Sequence, residues 1–283
     1  MFIINLGVWM YEKEEQQLKY IIDEACHRIW PRRFSRRIGP SSLGEPCSRK
    51  LWYRFRWYAM SEFEPRMLRL FDRGNREEQA IARLLKEAGC EVQLFEDEDK
   101  EIQISVEDLQ GHLYGFLDGI IKFPENFNLP NMLLEFKTFN SKSFKKLKDG
   151  VAYSNPKHWA QMCLYGYKKR LSQSLYIGVN KDDDDMYVRI LELDATYGNE
   201  LLEKGVDIVN SKKPPEKISN SPAYFSCKFC EFSDICHFGK NPLLNCRSCV
   251  HSEPREGAKW HCTLHDINIP HKHAHKGCAK WEN

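Results

Sequence analysis

One eight-residue stretch, MLLEFKTF at residues 132–139, constrains the fold more than any other. Its apolar density and its Phe, Leu and Thr content read as a strand buried inside a sheet. Yet it carries Glu135 and Lys137. Alternate residues of a strand share a face, so these two charges are neighbours and Phe136 points to the other side. Burying a carboxylate or an ammonium is costly unless something pairs with it. Either the two form a simple buried ion pair, or they belong to a site.

A second acid favours the site. Asp118, in YGFLDGII, is again an acid inside an apolar run, and it is followed by Gly119. Adjacent strands would bring Asp118 and Glu135 together, and paired carboxylates repel unless a cation lies between them. Carboxylates with open positions suit Mg²⁺ or Mn²⁺, which retain water and accept a substrate phosphate. A lysine beside such an ion can orient an attacking water and offset charge developing on the phosphate.

The remaining patterns build an α/β frame around these residues. Residues 11–29 have helical periodicity, with Tyr11, Leu18, Ile21 and Ile22 as its expected buried positions. PSSLGEPCSRKLWYRF begins with hydroxyl caps and turns helical. FDRGNREEQAIARLLKEAGC is the clearest helix, with Asp72 as its expected cap, Ile81, Leu84 and Leu85 on one side and Gly89 at its end. Strands follow at EVQLF, EIQISV, HLYGFLDGIIKF and MLLEFKTF; then come a helix (NPKHWAQMCLYGYKKR), the strands QSLYIGV and MYVRILEL, and a helix over roughly 195–211. This order implies a mixed α/β core with one central sheet.

Composition excludes some classes. With 42% hydrophobic and 29% charged residues the chain is ordinary globular protein, not a disordered one. No apolar run is long enough to span a membrane, and the amino terminus lacks a secretory pattern, so a cytoplasmic home is expected. Net charge is only +2, but between Arg28 and Arg56 nine Lys/Arg face a single acid, Glu45. Trp30, Phe34, Trp52, Tyr53 and Phe55 are interleaved with them, a mixture that suits phosphate contact and base stacking. The plainer reading is a solvated basic face with aromatics in the core. KSFKKLK and YKKR (142–148 and 167–170) add basic clusters, while the acidic runs EDEDKE and DDDD read as solvated turns.

Eleven cysteines in a chain with no export signal point to metal rather than disulfides. Seven of them follow residue 226, first as CKFCEFSDIC with Cys227, Cys230 and Cys236. Three thiolates leave a metal one ligand short; His237 is the nearest local donor and Cys47 a distant one. Beyond residue 241, Cys246, Cys249, Cys262 and Cys278 fit a four-cysteine zinc ribbon, with His251, His261, His265, His271, His273 and His275 as substitutes. A disulfide pair or a disordered tail is the alternative, but so few apolar residues could not hold this tail folded without a metal. Cys26, Cys90 and Cys163 read as small buried hydrophobes.

GFLDG followed by LLEFKT resembles motifs II and III of the PD-(D/E)XK nucleases. QMCLY, with Gln161 and Tyr165 four apart on one helical face, is similar to the Q-x-x-x-Y motif of the RecB-like branch. The resemblance covers about residues 40–237. It implies a restriction-endonuclease-like core, a mixed central sheet flanked by helices, with an N-terminal helical segment and a small C-terminal metal-binding module added. It also implies site roles. Asp118, Glu135 and the main-chain carbonyl of Phe136 would hold Mg²⁺ or Mn²⁺, Lys137 would position water, and Gln161 and Tyr165 would orient substrate and the lysine. Such enzymes often carry a metal-binding histidine on the first core helix; this chain has Asn75 there, and Glu78, one turn along, offers an oxygen instead.

In the iron–sulfur subfamily, which includes CRISPR-adaptation nucleases, AddB-type subunits and phage-borne relatives, cysteines bracket the catalytic domain. The resemblance therefore implies a [4Fe–4S] cluster on Cys47, Cys227, Cys230 and Cys236, with structural zinc on the same thiolates as the alternative. The expected organisation is a helical segment (1–60), the nuclease core (61–212), the cysteine segment (213–240) and a zinc-ribbon-like module (241–283). The expected activity is metal-dependent hydrolysis of single- or double-stranded DNA, with exonuclease favoured and the setting open among phage recombination, repair, spacer capture and host-DNA breakdown. The alternative is a weakened or inactive DNA-binding or assembly module that keeps the fold. With no G-x-x-x-x-G-K-[ST] motif, unwinding would fall to a helicase partner.

Overall fold

Met132–Phe139 is the middle strand of a five-stranded sheet. In this computed structural model, which describes residues 11–31, 34–60 and 62–283, the sheet strands are β1 (Glu91–Gln93), β2 (Gly119–Lys122), β3 (Met132–Phe139), β4 (Gln173–Asn180) and β5 (Met186–Glu192). They lie side by side in that order. Antiparallel pairing joins β1, β2 and β3, β4 runs parallel to β3, and β5 returns antiparallel. A parallel pair needs a crossover, and a helix over Pro156–Lys169 provides it. Residues 1–10, Arg32, Arg33 and Ser61 lie outside the described residues, and with them the apolar amino terminus and two of the nine basic residues up to Arg56.

Five described helices have eight or more residues: α1 (Glu12–Ile29), α2 (Ser48–Phe55), α3 (Pro65–Glu87), α4 (Pro156–Lys169) and α5 (Ala195–Asn210). The two faces of the sheet meet different layers. Met132, Leu134 and Phe136 of β3 join Leu175, Ile177 and Val179 of β4 under Ile81 and Ala82 of α3. Leu133 and Phe139 face the other way, into a core with Ala160, Leu164 and Tyr165 of α4 and Ile208 and Val209 of α5. Period-2 alternation in β3 thus sorts its side chains between two apolar layers, as its sequence predicts.

Three expectations need correction. Tyr11, Leu18, Ile21 and Ile22 are exposed, and Cys26 is the buried residue of α1. Asp72 does not cap α3. The helix starts two turns earlier, where Pro65 stands in its first turn and needs no partner for a backbone N–H. Asp72 instead pairs with Arg76 one turn on, at 3.2 Å. Gly89, with φ of 88°, follows the end of α3 as expected. Leu84 is exposed where a buried position was expected.

Asp118 does not sit inside a strand. The run around it divides into a short strand, Leu113–Phe116, and β2, with Leu117 and Asp118 at the break. The Asp118 carboxylate accepts the main-chain N–H of Phe136 at 2.8 Å, so a side chain takes a bond that would otherwise belong to the ladder.

The segment before the sheet and the far tail share one core. Trp52, Tyr53 and Phe55 of α2 are buried with Phe232 and Trp260. The tail forms a three-stranded sheet of β6 (Ser252–Arg255), β7 (Lys259–Cys262) and β8 (Ile267–Asn268). No described helix is long and apolar enough to cross a membrane.

Candidate active site

Glu135 is completely buried on β3, and the Lys137 ammonium on the same face lies 2.6 Å from it. That ammonium also lies 3.1 Å from Asp118 and donates to the Phe136 carbonyl at 2.7 Å. The two acids and one carbonyl singled out in the sequence therefore surround a single cation. Strand pairing explains the geometry: Gly119 pairs with Leu134, which sets Asp118 beside the Glu135–Lys137 segment.

Gln161 approaches from α4 and donates to both Glu135 oxygens, at 2.9 and 3.2 Å. Tyr165, one turn further, is buried, and its hydroxyl donates to the Phe116 carbonyl at 2.7 Å. Its contact is thus with the backbone leading into Asp118 rather than with the lysine. A cavity of about 290 Å³ opens beside the cluster, lined by Asn75 and Glu78 of α3 and by Lys137, Thr138 and His158. The first-helix residues and the strand residues are thereby brought to one cavity.

The charges are out of balance. Glu78, Asp118 and Glu135 are three carboxylates around one ammonium. Burial, then the neighbouring Asp118, raises the Glu78 carboxyl to about 7, with Lys137 opposing. Burial and Asp118 likewise push Glu135 up, against Lys137. For Lys137, burial works against the ammonium, but Glu135 and Asp118 outweigh it and hold the group well above its ordinary range. Such an assembly calls for a further proton or a further cation.

His158 was not singled out by the sequence reading. It precedes Gln161 by three residues on α4, so helical spacing alone could have found it. Its Nδ1 lies 2.9 Å from the Tyr176 hydroxyl, and burial, then Lys137, lowers it to about 3, leaving a neutral ring at the cavity wall.

A larger groove of about 1,160 Å³ runs beside this cavity, and Phe71 lines both. Trp30, Phe34, Phe63, His27 and Lys157 are among its walls. The base-stacking expectation divides here. Trp30 and Phe34 line the groove, but Trp52, Tyr53 and Phe55 are buried in the core and offer no free ring face. Arg56 is buried as well, its guanidinium 5.2 Å from the Trp52 ring. Of the two basic clusters, Lys142, Lys145, Lys146 and Lys148 stay exposed just after β3. Lys168 and Lys169 are tied to Asp108 and Glu96.

Cys47, Cys227, Cys230 and Cys236 line one small cavity with His237. Cys47 stands at the N-cap of α2, where its sulfur accepts the Lys50 N–H at 3.4 Å. Burial, then the proximity of Cys47 and Cys236, raises the Cys227 thiol. Of the other cysteines, Cys26 and Cys163 are buried as expected, whereas Cys90 is only half-buried at the end of α3. No group of three or more His, Cys, Asp or Glu among the described residues is already assembled as a metal cage.

No family model matches the chain, and no curated protein matches it. It is similar to the crystal structure of SSO0001, at 18% identity over 77% of this chain and 95% of that one, with a TM-score of 0.42. It is also similar to an alkaline exonuclease, LHK-Exo, from Laribacter hongkongensis, at 16% identity over 65% of this chain and 90% of that one, with a TM-score of 0.44. The structure of LHK-Exo in complex with dAMP gives 15% identity, 61% and 86%, and a TM-score of 0.43.

Proposed function

We propose that this chain is a divalent-metal-dependent DNA nuclease that hydrolyses phosphodiester bonds, working as an exonuclease. The observation that carries this reading is the convergence of Asp118, Glu135 and the Phe136 carbonyl on one cationic centre, the Lys137 ammonium. All three donors are hard oxygens, the chemistry Mg²⁺ and Mn²⁺ require. Glu78 and Asn75, at the same cavity, complete the donor set. A bound ion would supply positive charge against the phosphate that water attacks.

The chain's own residues do the rest. Gln161 fixes both oxygens of Glu135, so the carboxylate cannot rotate away. Tyr165 holds the Phe116 carbonyl and, through it, the turn that aims Asp118. Lys137 itself lines the cavity. There it orients the attacking water and donates to the phosphate oxygens as charge builds on them. Exposed lysines 142–148 and the aromatic groove meeting the cavity at Phe71 suit a nucleic-acid chain.

Cys47 and the three cysteines around it, Cys227, Cys230 and Cys236, are proposed to hold a [4Fe–4S] cluster, with zinc as the alternative; soft thiolates suit either. The recombination or repair setting rests on the resemblance, and a helicase partner on the lack of a G-x-x-x-x-G-K-[ST] motif in the sequence. The test is anaerobic purification with iron and sulfide analysis, then a Mn²⁺ assay on end-labelled single- and double-stranded DNA. Cleavage is expected, abolished by chelator and by Asp118→Ala, Glu135→Ala or Lys137→Ala. Full activity of Lys137→Ala would defeat its assigned role. A metal-independent or absent cut would favour a second reading, a DNA-binding module weakened by Asn75.

A further inference from the structure

The carboxy-terminal tail has too little apolar material to fold by burial. From Cys246 onward its buried hydrophobic residues are Cys249, Trp260 and Ala274. Its three-stranded sheet is short, with four, four and two residues per strand. Around it, Cys246, Cys249, Cys262 and Cys278 line one cavity of about 20 Å³, space for a single small atom or ion. The first two lie on one turn, where the Cys249 N–H donates to the Cys246 carbonyl at 3.4 Å. The third ends β7, and the fourth follows Gly277, whose φ of 65° turns the chain back.

Arg247 sits within that Cys246–Cys249 turn and points the other way, into the core. It is buried beneath the rings of Trp57, Trp260 and Phe55, at 4.3, 4.4 and 4.9 Å. It donates to the Arg36 carbonyl at 3.1 Å and to that of Phe55, the last residue of α2. Among the described residues its side-chain hydrogen bonds go to main-chain carbonyls rather than to a carboxylate, and its Nε has no partner there. A buried cation without an anion is unfavourable, so something must hold the turn that carries it.

We propose that Cys246, Cys249, Cys262 and Cys278 bind one zinc ion tetrahedrally, and that the ion fixes the turn that seats Arg247 beneath α2. Four sulfurs with no open position make a structural site. Its role is to fasten the tail to the helix whose other end is Cys47. The site is distinct from the proposed cluster cavity, since the two share no lining residue.

The full-length wild-type protein tests this by metal analysis and residue-resolved alkylation with mass spectrometry. About one zinc per chain is expected, separate from any iron. The four thiols should resist alkylation together and become reactive together when a zinc chelator is added. Cys262→Ser and Cys278→Ser should lose the zinc, whereas His251→Ala and His265→Ala should keep it. Rapid alkylation of Cys278 with zinc still bound, or zinc loss in His265→Ala, would overturn the four-cysteine assignment; His265 lies 4.0 Å from Cys278. Arg247→Ala should retain zinc while proteolysis near residue 245 rises to the level of the chelated wild type. Unchanged proteolysis in both would overturn the fastening role.

Discussion

Gln161 on α4 donates its amide to both carboxylate oxygens of the buried Glu135, at 2.9 and 3.2 Å. Helix and strand are thereby locked at the site, and the acid's orientation depends on a neutral partner. Gln161→Ala is expected to lower metal-dependent cleavage by roughly 10- to 100-fold, the usual cost of losing such a supporting bond. Raising Mn²⁺ should recover part of the loss. Measuring rate against Mn²⁺ concentration checks this; an unshifted half-saturation point would count against it.

Lys137 presents a different separation. Its ammonium occupies the oxygens that a divalent ion would need. Lys137→Ala should therefore bind Mn²⁺ more tightly, on the order of tenfold for each 1.4 kcal/mol of repulsion removed. Cleavage should nevertheless be lost. Calorimetric titration of both proteins checks the affinity, and weaker binding in the variant would be inconsistent with this geometry.

The Glu78 carboxyl, raised to about 7 by burial and then Asp118, gives a pH signature. An acid raised in the folded state contributes stability below its unfolded value of 4.5, and that contribution is lost as pH rises through about 7. Divalent ions need the ionised form, so Mn²⁺ affinity should climb over the same interval with proton release. Glu78→Gln should flatten both trends. Thermal denaturation and Mn²⁺ titration across pH 7 measure them.

His112 gives a signature of opposite sign. It is fully buried against Phe55 and Trp260, its Nε2–H donating to the Arg255 carbonyl at 2.9 Å. Burial depresses it from 6.5 to about 4 despite that bond. The unfolded chain therefore takes up a proton first, and stability is lost as pH falls from 6.5 toward 4. Urea midpoints should drop over that window and drop less in His112→Gln. An identical slope in the variant would remove His112 from the account.

The sheet and the heart of the site were legible because both rest on local periodicity. Period 2 put Glu135 and Lys137 on one face, and four-residue spacing put Gln161 and Tyr165 together. Asp118 was recognisable as an acid among apolar residues, but not the break around it, which depends on the Phe136 N–H of another strand. The exposed face of α1 was misread because apolar spacing cannot say whether a partner surface exists. Phe55 and Tyr53 looked like stacking platforms because Trp260 and Arg247, which meet Phe55, and Phe232, which meets Tyr53, lie far along the sequence.

That long-range packing has a consequence for synthesis. Helix α2 leaves the ribosome early, yet Phe232 and Trp260, which cover its aromatic side, emerge long after it. A nascent chain halted near residue 220 would lack the rings that meet Tyr53 and Phe55. Closure of the core over this face of α2 must therefore wait for the segments that bear Phe232 and Trp260.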